Sequence, residues 1–501
     1  MSGLKGLPAS SVVGVLGAGT MGAGIAQVAA AAGHRVRLFD TDGVVVERAL
    51  DDMRERLERS VAKGRRTHAE VNELIERIEP VPSLEDLRDT ALVVEAIVER
   101  LDVKQRVFSQ LEEIVPAGTI LATNTSSLSV TAIAAGVQRP ELVVGLHFFN
   151  PAPVMPLVEV VIGAATSPEV AGAAYATAAA WGKTPVRCTS TPGFIVNRVA
   201  RPFYGESLRL LDEGVADIAT IDAVVTGAGG FRMGPFTLMD LVGLDVNLAV
   251  SKSVYEQTFH DPRFAPHVRQ QAKVDAGHLG RKSGRGWYDA DLPGPASLET
   301  GPVPERVAIN GDAEWDAMAA RLGASGVPIA RTDVPFLDVD GTSVHPAMGI
   351  GGTDAADVVL DLVLDWQHAK RVAVAVGARA ADDAVAKVAG LFQAAEIDVS
   401  RVAGVPGLVL ARIVAQLISV ASDAAAAGVA TPEDIDTAMR LGTNYPGGPF
   451  EWADAIGVAP VMMVLDEMRA FTGEERYRTS GSIRRAAANG TKLRDQARRK
   501  I

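Results

Sequence analysis

Short apolar runs alternate with helix-like segments at the start of the chain. Residues 11–16 form a β-branched run typical of a buried parallel strand, residues 23–32 have a helical pattern, and residues 34–39 form a second strand that ends in Asp40. Between the first strand and the helix stands the turn Gly17-Ala18-Gly19-Thr20-Met21-Gly22. This order of strand, turn, helix and strand predicts a βαβ unit at the start of a doubly wound, mostly parallel sheet.

The glycine turn predicts a dinucleotide site. Gly17 allows the tight turn, Gly19 lets the backbone approach a pyrophosphate, and Gly22 lets helix and strand pack closely. The helix that follows offers free N–H groups to the phosphates. Asp40, at the tip of the second strand, would bind a ribose 2′-hydroxyl and repel a 2′-phosphate, so the sequence favours NAD over NADP. The predicted cofactor contacts in this unit are Gly17, Gly19, Thr20, Met21, Gly22 and Asp40.

A third strand carries acidic residues to the same edge of the sheet. Residues 91–96 are apolar until Glu95, and Glu99 and Lys104 follow at the start of the next helix. Because the C-terminal ends of parallel strands face the cofactor crevice, we expect these three side chains near the nicotinamide half. For each of the three, and most of all for Lys104, a solvated charge at a helix start is the open alternative.

The next strand, over residues 119–122, ends in the polar run Thr123-Asn124-Thr125-Ser126-Ser127. Such a run at a strand tip supplies hydroxyl and amide groups to a ligand. It is equally suited to cap the helix predicted over residues 130–135. The two interpretations are compatible.

A histidine and a carboxylate stand in two further strand-like runs. His147 lies in the run 142–149 and Glu159 in the run 157–161, and prolines break the segment between them. An antiparallel return would bring Glu159 alongside His147, which would give the otherwise unpaired buried carboxylate a partner. A histidine held in this way has a fixed tautomer and suits a general base. A structural ion pair in the core is the alternative.

A Pro-Gly turn at Pro192-Gly193 predicts the start of a long amphipathic helix that reaches about Glu213, where Gly214 stops it. Asn197 would lie one turn inside this helix on an otherwise apolar face. A polar amide in that position needs a partner.

Taken together, these segments resemble the L-3-hydroxyacyl-CoA dehydrogenases of fatty-acid β-oxidation, over residues 11 to about 289. The duplicated C-terminal domain described below resembles the large bacterial forms, which are similar to enzymes for 3-hydroxybutyryl-CoA or 3-hydroxyadipyl-CoA, and no residue decides between these two substrates. The segments that carry the resemblance are Gly17-Ala18-Gly19-Thr20-Met21-Gly22-Ala23-Gly24-Ile25-Ala26, Val94-Glu95-Ala96-Ile97-Val98-Glu99, Thr123-Asn124-Thr125-Ser126-Ser127-Leu128, His147-Phe148-Phe149-Asn150-Pro151 and Pro192-Gly193-Phe194-Ile195-Val196-Asn197-Arg198.

The resemblance implies a role for each site residue. His147 would be the catalytic base, and Glu159 would orient it. Ser126 and Asn197 would hydrogen-bond the reacting oxygen of the substrate. The acyl-CoA substrate itself is implied by the resemblance alone. Further contacts near the nicotinamide are implied for Asn150, Glu99 and Lys104.

Composition narrows the class of protein. The chain has 501 residues, of which 48% are hydrophobic, and this is enough for several domain cores. No apolar run approaches the ~20 residues of a membrane span, and residues 1–10 lack the apolar core of a secretory signal. The only cysteine is Cys188, so no intrachain disulfide is possible and a reducing cytoplasm fits. A net charge of −12 argues against a nucleic-acid partner, and no metal-ligand cluster stands out, so no metal is expected.

A net negative chain needs a local basic patch to bind the phosphates of CoA. Residues 51–77 read as a charged helical hairpin broken at Gly64, and Arg54 and Lys63 are the predicted substrate contacts there, with Arg65 and its neighbour Arg66 as further candidates. A solvated helix face with compensating acidic residues is the alternative.

The second half of the chain contains an internal repeat at a constant offset of 214 residues. Pro192-Gly193 falls on Pro406-Gly407, and Gly234-Pro235-Phe236 falls on Gly448-Pro449-Phe450. The repeat predicts a duplicated helical domain. Asn197 falls on Ala411, so the second copy lacks the site amide and is interpreted as structural.

The segment between the copies has a strand and helix order that resembles a shrunken dinucleotide fold. Strand-like runs cover 306–311, 327–331, 357–364 and 371–376, and a helical run covers 314–322. The first run ends in Gly311 and leads into Asp312-Ala313-Glu314, where an acidic loop would repel a pyrophosphate. The sequence thus favours a degenerate subdomain without cofactor, with an unrelated insertion as the alternative.

The predicted fold class is an α/β N-terminal Rossmann domain followed by two copies of an all-α C-terminal domain, with a small degenerate α/β insert. In simpler family members two such helical domains pair between chains, so we expect the copies to pair within this chain because tethering raises their effective concentration; a further homo-oligomer is possible. Two other functions stay open: an NAD enzyme for a 3-hydroxy acid without CoA, and a non-catalytic NAD-binding scaffold. The predicted domains are 1–187, 188–290, 291–399 and 400–501.

Overall fold

An eight-stranded sheet organises the first of two compact units into which the chain divides. The computed structural model describes residues 5–288, 294–312, 315–348 and 356–497. Its first unit comprises residues 5–198 together with 427–443, and the second comprises residues 199–426 and 444–497.

The first unit alternates strands and helices in the order that the sequence predicts. Its strands are β1 (Val12–Leu16), β2 (Arg35–Phe39), β3 (Ile78–Pro80), β4 (Thr90–Glu95), β5 (Ile120–Thr123), β6 (Val143–Phe148), β7 (Leu157–Ile162) and β8 (Thr184–Thr189). Its helices are α1 (Thr20–Ala31), α2 (Gly43–Ala62), α3 (His68–Glu76), α4 (Leu101–Ile114), α5 (Val130–Ala134), α6 (Pro168–Ala180) and, at its end, α7 (Val196–Val199).

The sheet has the order β3-β2-β1-β4-β5-β6-β7-β8. All neighbouring strands run parallel except β6 and β7, which are antiparallel. Both faces are covered, because Val93 and Val94, consecutive residues of β4 that point to opposite faces, are both buried. This explains why the strands read as continuous apolar runs rather than as alternating ones.

The second unit combines helices with a seven-stranded sheet of order β10-β9-β11-β12-β13-β14-β15. Its strands are β9 (Val307–Asn310), β10 (Ile329–Thr332), β11 (Leu337–Val339), β12 (Thr342–Pro346), β13 (Val358–Leu360), β14 (Arg371–Val376) and β15 (Asp398–Arg401). The helices of the chain from residue 201 onwards are α8 (Arg201–Asp212), α9 (Ile218–Gly227), α10 (Pro235–Val242), α11 (Leu244–Gln257), α12 (Val268–Asp275), α13 (Asp316–Gly323), α14 (Ala384–Ala394), α15 (Leu410–Ala426), α16 (Pro432–Thr443), α17 (Pro449–Ile456), α18 (Val458–Thr472), α19 (Gly481–Asn489) and α20 (Leu493–Ala497). Of these, α16 belongs to the first unit.

The predicted strands of the middle segment are confirmed, and β11, β12 and β15 are strands that sequence reasoning missed. Of the predicted acidic loop, Ala313 and Glu314 lie outside the described residues. Within the part of the chain that the structure describes, no helix is both long and apolar enough to cross a membrane.

The predicted long helix over residues 193–213 is wrong in one respect. It is divided into α7 and α8 at Ala200. Pro202, in the first turn of α8, has no N–H to bond back to Arg198, and its ring would clash with that carbonyl in a continuous helix. Asn197 therefore lies in the first turn of a short helix, not one turn inside a long one.

The internal repeat extends further than sequence reasoning found. At the same offset, β7, α6 and β8 correspond to β14, α14 and β15, and the antiparallel pairing of Leu146 with Val160 recurs as the pairing of Leu360 with Val374. Gly182 and its counterpart Glu396 both have positive φ angles, 74° and 58°. We name residues 143–189 the first subdomain copy and residues 357–403 the second subdomain copy. The duplication favours a degenerate half of the dinucleotide fold over an unrelated insertion.

Candidate active site

The predicted pairing of His147 and Glu159 is present in the structure. The two residues are direct partners in the antiparallel ladder of β6 and β7, and His147 Nδ1 lies 2.6 Å from Glu159 Oε2. Glu159 is fully buried and His147 is 5% exposed. An ionised carboxylate only accepts hydrogen bonds, so Nδ1 of His147 carries the proton and Nε2 keeps its lone pair. The arrangement therefore leaves Nε2 as the basic atom of the ring.

Glu159 has a second set of partners that sequence reasoning did not find. Its Oε1 accepts hydrogen bonds from the backbone N–H groups of Ile195 and Val196, at 3.0 and 2.9 Å. These N–H groups stand at the start of α7, where they have no partner within the helix. One carboxylate thus fixes both the imidazole and the segment that carries Asn197. The Pro-Gly turn before α7 could have predicted this contact, because a helix that begins after such a turn has free N–H groups that need an acceptor.

Two aromatic rings flank His147. The ring of Phe149 lies 4.5 Å from the imidazole and that of Phe194 lies 5.9 Å away, centroid to centroid. Apolar neighbours exclude water from one side of the imidazole and strengthen its interaction with the buried carboxylate.

Asn197 and Ser126 are 71 positions apart along the chain, and they are in contact in the first unit. The side-chain amide of Asn197 donates to the carbonyl oxygen of Ser126 at 3.3 Å. This contact supplies the partner that a polar amide in this position requires. Both residues are half-buried.

The polar run at the end of β5 is held by Glu99. Oε1 of Glu99 accepts hydrogen bonds from the hydroxyl of Thr125 (2.6 Å), the backbone N–H of Ser126 (3.0 Å), and both the N–H and hydroxyl of Ser127 (3.1 and 2.9 Å). Burial acts to raise the pKa of Glu99, but Lys104 and these hydrogen bonds outweigh it and hold the pKa below its ordinary value. The carboxylate is therefore ionised at neutral pH and fixes the loop that contains Ser126.

The polar run does not itself cap α5, so that alternative is wrong. The cap is Ser129, just beyond the run, whose hydroxyl accepts from Ala132 N–H at 3.2 Å. Asn124 has a different task, because its side-chain oxygen accepts from the N–H of Phe148 at the end of β6.

Lys104 is not a solvated charge, so that alternative is also wrong. Its side chain is 1% exposed, and its Nζ lies 2.5 Å from Glu95 Oε1 and 3.3 Å from Glu99 Oε2. Glu95 is fully buried, and its other oxygen accepts from the hydroxyl of Thr123 at 2.8 Å. A buried cation between two carboxylates satisfies the requirement that buried charges be paired.

The glycine turn has the shape that a pyrophosphate requires. Gly17 has a φ of 97°, and a side chain there would meet the carbonyl oxygen of Ala96 at 2.6 Å. A Cβ on Gly22 would lie 1.8 Å from the carbonyl oxygen of Gly17, whereas a Cβ on Gly19 would meet nothing within 4 Å. Gly17 and Gly22 are thus needed for packing, and the space beside Gly19 is free for a ligand. Asp40 accepts a hydrogen bond from the N–H of Ala18 at 2.7 Å, which places its carboxylate against the same turn.

The remaining predicted residues are not tied to this network by any described contact. Asn150 is exposed and precedes Pro151 through a cis peptide bond. Arg54, on α2, and Lys63, at its C-terminal end, are exposed. Cys188 on β8 is fully buried, and burial raises the pKa of its thiol, so it is an unreactive core residue.

Comparison with known proteins accounts for most of the chain. The NAD-binding domain of 3-hydroxyacyl-CoA dehydrogenases matches residues 12–191, and the C-terminal domain of the same enzymes matches twice, at residues 193–290 and 407–499. A reduced Rossmann-fold domain of 3-hydroxybutyryl-CoA dehydrogenase matches residues 352–406, which coincides with the second subdomain copy.

Individual relatives agree with these matches. A 3-hydroxyadipyl-CoA dehydrogenase of Escherichia coli K12 is 43% identical over 95% of this chain and 97% of its own length. A crystal structure of a 3-hydroxybutyryl-CoA dehydrogenase from Escherichia coli K12 superposes with a TM-score of 0.87 at 41% identity, covering 96% of this chain and 98% of that chain. A probable 3-hydroxybutyryl-CoA dehydrogenase of Bacillus subtilis is 44% identical over 55% of this chain and 96% of its own length. The chain therefore belongs to the 3-hydroxyacyl-CoA dehydrogenase family and is an NAD-dependent oxidoreductase.

Proposed function

We propose that the protein oxidises (3S)-3-hydroxyacyl-CoA thioesters reversibly to 3-oxoacyl-CoA, with His147 as the general base. The observation that carries this proposal is the pair His147–Glu159, in which a buried carboxylate binds Nδ1 at 2.6 Å and leaves Nε2 available. A structural ion pair would not need Ser126 and Asn197, two groups able to bind the reacting oxygen, to meet beside the segment that Glu159 anchors.

Each side chain then has one task. Nε2 of His147 accepts the proton of the C3 hydroxyl, and Glu159 stabilises the imidazolium that forms. The Ser126 hydroxyl and the Asn197 amide hydrogen-bond the reacting oxygen and orient C3. NAD supplies the acceptor for the hydride that leaves C3. In the reverse direction His147 returns the proton to the alkoxide oxygen.

The cofactor-binding residues form a second part of the proposal. The turn of Gly17, Gly19 and Gly22, with Thr20 and Met21 at the start of α1, would hold the pyrophosphate, because α1 begins there without a side-chain cap. Asp40 would bind the adenosine ribose. Glu99 would meet the nicotinamide ribose, with Lys104 beside it, and Asn150 would line the site near the nicotinamide.

The CoA end of the substrate would bind to basic residues of the first unit. Arg54 and Lys63 are exposed, so both are accessible to phosphate groups. We place the reaction in the cytoplasm, where the single buried thiol of the chain is stable without a disulfide partner.

The domain organisation is proposed as 1–187 for the NAD-binding domain, 188–290 and 400–501 for the two helical copies, and 291–399 for the linker and the degenerate subdomain. We propose that the helical copies pair within the chain. In support, Arg412 on α15 is fully buried against α8, where it binds Glu206 at 2.8 Å and Glu213 at 2.6 Å. Further assembly of the chain into homo-oligomers is compatible with this pairing.

The proposed reaction is tested by NADH formation with a panel of 3-hydroxyacyl-CoA thioesters. The panel should include 3-hydroxybutyryl-CoA, a longer acyl chain and the dicarboxylate 3-hydroxyadipyl-CoA, each alongside its free acid. We expect turnover of thioesters only. Equal turnover of the free acids would favour an enzyme for 3-hydroxy acids without CoA. NAD binding without any turnover would favour a scaffold.

A further inference from the structure

The second unit contains a cavity of about 530 Å³ that the reaction at His147 does not use. Its wall is largely aromatic and apolar and includes Trp315, Phe336, Trp366 and Trp452, with Leu360 and Asp361 at the end of β13. This volume falls in the range of small-molecule sites, about 300–1,000 Å³, which are mostly apolar with few polar groups.

The cavity lies at the strand end that matches the catalytic one. At the offset of 214 residues, Asp361 stands in the position of His147, and its N–H donates to Ala373, the counterpart of Glu159. Asn197 is replaced by Ala411. The second subdomain copy has therefore kept the strand geometry and lost each side chain assigned to chemistry.

The carboxylate of Asp361, in the cavity wall, is already saturated with hydrogen bonds. The carboxylate of Asp361 accepts hydrogen bonds from the N–H groups of Val409 (3.0 Å), Leu410 (2.8 Å) and Ala411 (3.1 Å). These bonds anchor the start of α15 as Glu159 anchors α7. A ligand would thus find apolar walls and would gain little from hydrogen bonds to Asp361.

Charge at the cavity selects against anions. Asp365 also lines the cavity, and its partner His368, 2.7 Å away, is exposed and is not among the lining residues. No lysine or arginine is among the described lining residues. A ligand held here needs an apolar body and a neutral group where it meets the carboxylates, which fits an acyl chain on the neutral pantetheine arm of a thioester.

We propose that this cavity is a second, non-catalytic binding site for the acyl end of an acyl-CoA thioester. The inference rests on the proposed function, because it assumes that the ancestral strand end bound acyl thioesters before the duplication. Each chain would then bind two acyl groups and oxidise one.

The tryptophans provide a direct readout, because three of the five in the chain line the cavity. The probes are S-hexanoylpantetheine and hexanoyl-CoA, which lack a 3-hydroxyl group and are not oxidised. In the full-length protein we expect a change in tryptophan emission with both probes. Equilibrium dialysis should give two bound probes per chain.

Two obstructing variants identify the site. Ala455 and Ala317 line the cavity but are exposed, so Ala455→Phe or Ala317→Phe adds a ring at the mouth without overpacking the core. Ala470→Phe, at an exposed position of α18 outside the lining, is the matched control. We expect each obstructing variant to weaken the second binding event by roughly tenfold or more, about 1.4 kcal/mol. The control should bind two probes, and all three variants should retain NAD reduction and an unchanged melting temperature.

The outcomes separate the two proposals. One probe per chain in an enzyme that oxidises 3-hydroxyacyl-CoA would overturn the cavity proposal alone. Two probes per chain with unchanged affinity in both obstructing variants would also overturn it. If the enzyme oxidises no thioester but a binding event sensitive to Ala455→Phe persists, the cavity binds acyl groups and the proposed reaction is wrong. Binding of hexanoate as tight as S-hexanoylpantetheine would contradict the selection against anions.

Discussion

The two subdomain copies keep the same backbone device but build it from different residues. In the first copy His147, near the end of β6, is paired with Glu159 on β7. The carboxylate of Glu159 also binds the start of α7. At the matching end of β13 the carboxylate belongs to Asp361, in the position of the histidine, and Ala373 opposite leaves room for it. Asp361 anchors the start of α15. A buried carboxylate can therefore anchor the start of the following helix without a histidine beside it, as Asp361 does. In the first copy the carboxylate of Glu159 anchors a helix start and also binds His147.

The largest effect should follow from removing His147, whose position in the second copy is occupied by Asp361. His147→Ala should reduce turnover by roughly 10² to 10⁴, the range for loss of general acid–base catalysis, while NAD still binds. The measurements are kcat with a 3-hydroxyacyl-CoA and the Kd of NAD. Near-normal turnover would contradict the mechanism and leave His147–Glu159 as a structural pair.

The interface between α8 and α15 offers a second test, directed at the difference between the helical copies. Arg412 is buried with Glu206, and the counterpart of Glu206 at the offset is Val420, so this ion pair occurs only once. Arg412→Met should lower the free energy of unfolding by roughly 3 kcal/mol, the lower end of the range for a broken buried ion pair, because Glu206 loses Arg412 but keeps Arg209 at 3.0 Å.

The matched control for that variant is Arg478→Met. Arg478 is half exposed and lies 3.6 Å from Asp423, so its loss should cost about 1 kcal/mol or less. Denaturant unfolding measures both variants. Equal small losses would show that the buried ion pair adds nothing to the pairing of α8 with α15.

A third prediction concerns Glu159, which performs both tasks in the first copy. In Glu159→Gln the amide oxygen can still accept from Ile195 and Val196, so the NH₂ group faces Nδ1 of His147. Nδ1 must then accept, the proton moves to Nε2, and the base is lost. We expect turnover to fall by roughly 10²-fold with a flattened pH–rate profile and little change in stability. A large loss of stability with a normal pH profile would instead assign Glu159 a structural role alone.

The smallest effect is a pH dependence of stability from Asp361. Burial raises the pKa of Asp361 to about 6, although four backbone N–H groups act to lower it. Between the ordinary value of about 4 and 6, the folded chain keeps a proton that the unfolded chain has lost. The contribution of Asp361 is therefore complete below pH ~4 and declines by about 2 kcal/mol as the pH rises through 6.

Asp361→Asn removes this titration and serves as the reference. The difference in unfolding free energy between wild type and variant should change across that pH window and be constant above it. A difference that is independent of pH from 4 to 7 would contradict the raised pKa.

Sequence reasoning was sufficient where the signal is local. The βαβ order follows from apolar runs of strand length and the glycine turn, and the meeting of His147 with Glu159 follows from two short runs separated by prolines. The segment 193–213 was predicted as one continuous helix because apolar periodicity continues across Ala200, whereas the missing N–H of Pro202 divides it into α7 and α8.

What the sequence by itself determined is the N-terminal βαβ unit with its glycine turn, the pairing of His147 with Glu159 and the offset of 214 residues. What only the tertiary structure decided is which distant groups share one carboxylate. Glu99 binds residues that are 26 to 28 positions away, and Glu159 binds Ile195 at 36 positions. No periodicity encodes such spacings, because they depend on which strand ends lie side by side. The second subdomain copy was missed for a related reason. Its side chains differ from those of the first copy, so the two sequences do not look alike. Its strand register and the positive φ angle at Glu396 match the first copy, and these features are visible only in the backbone.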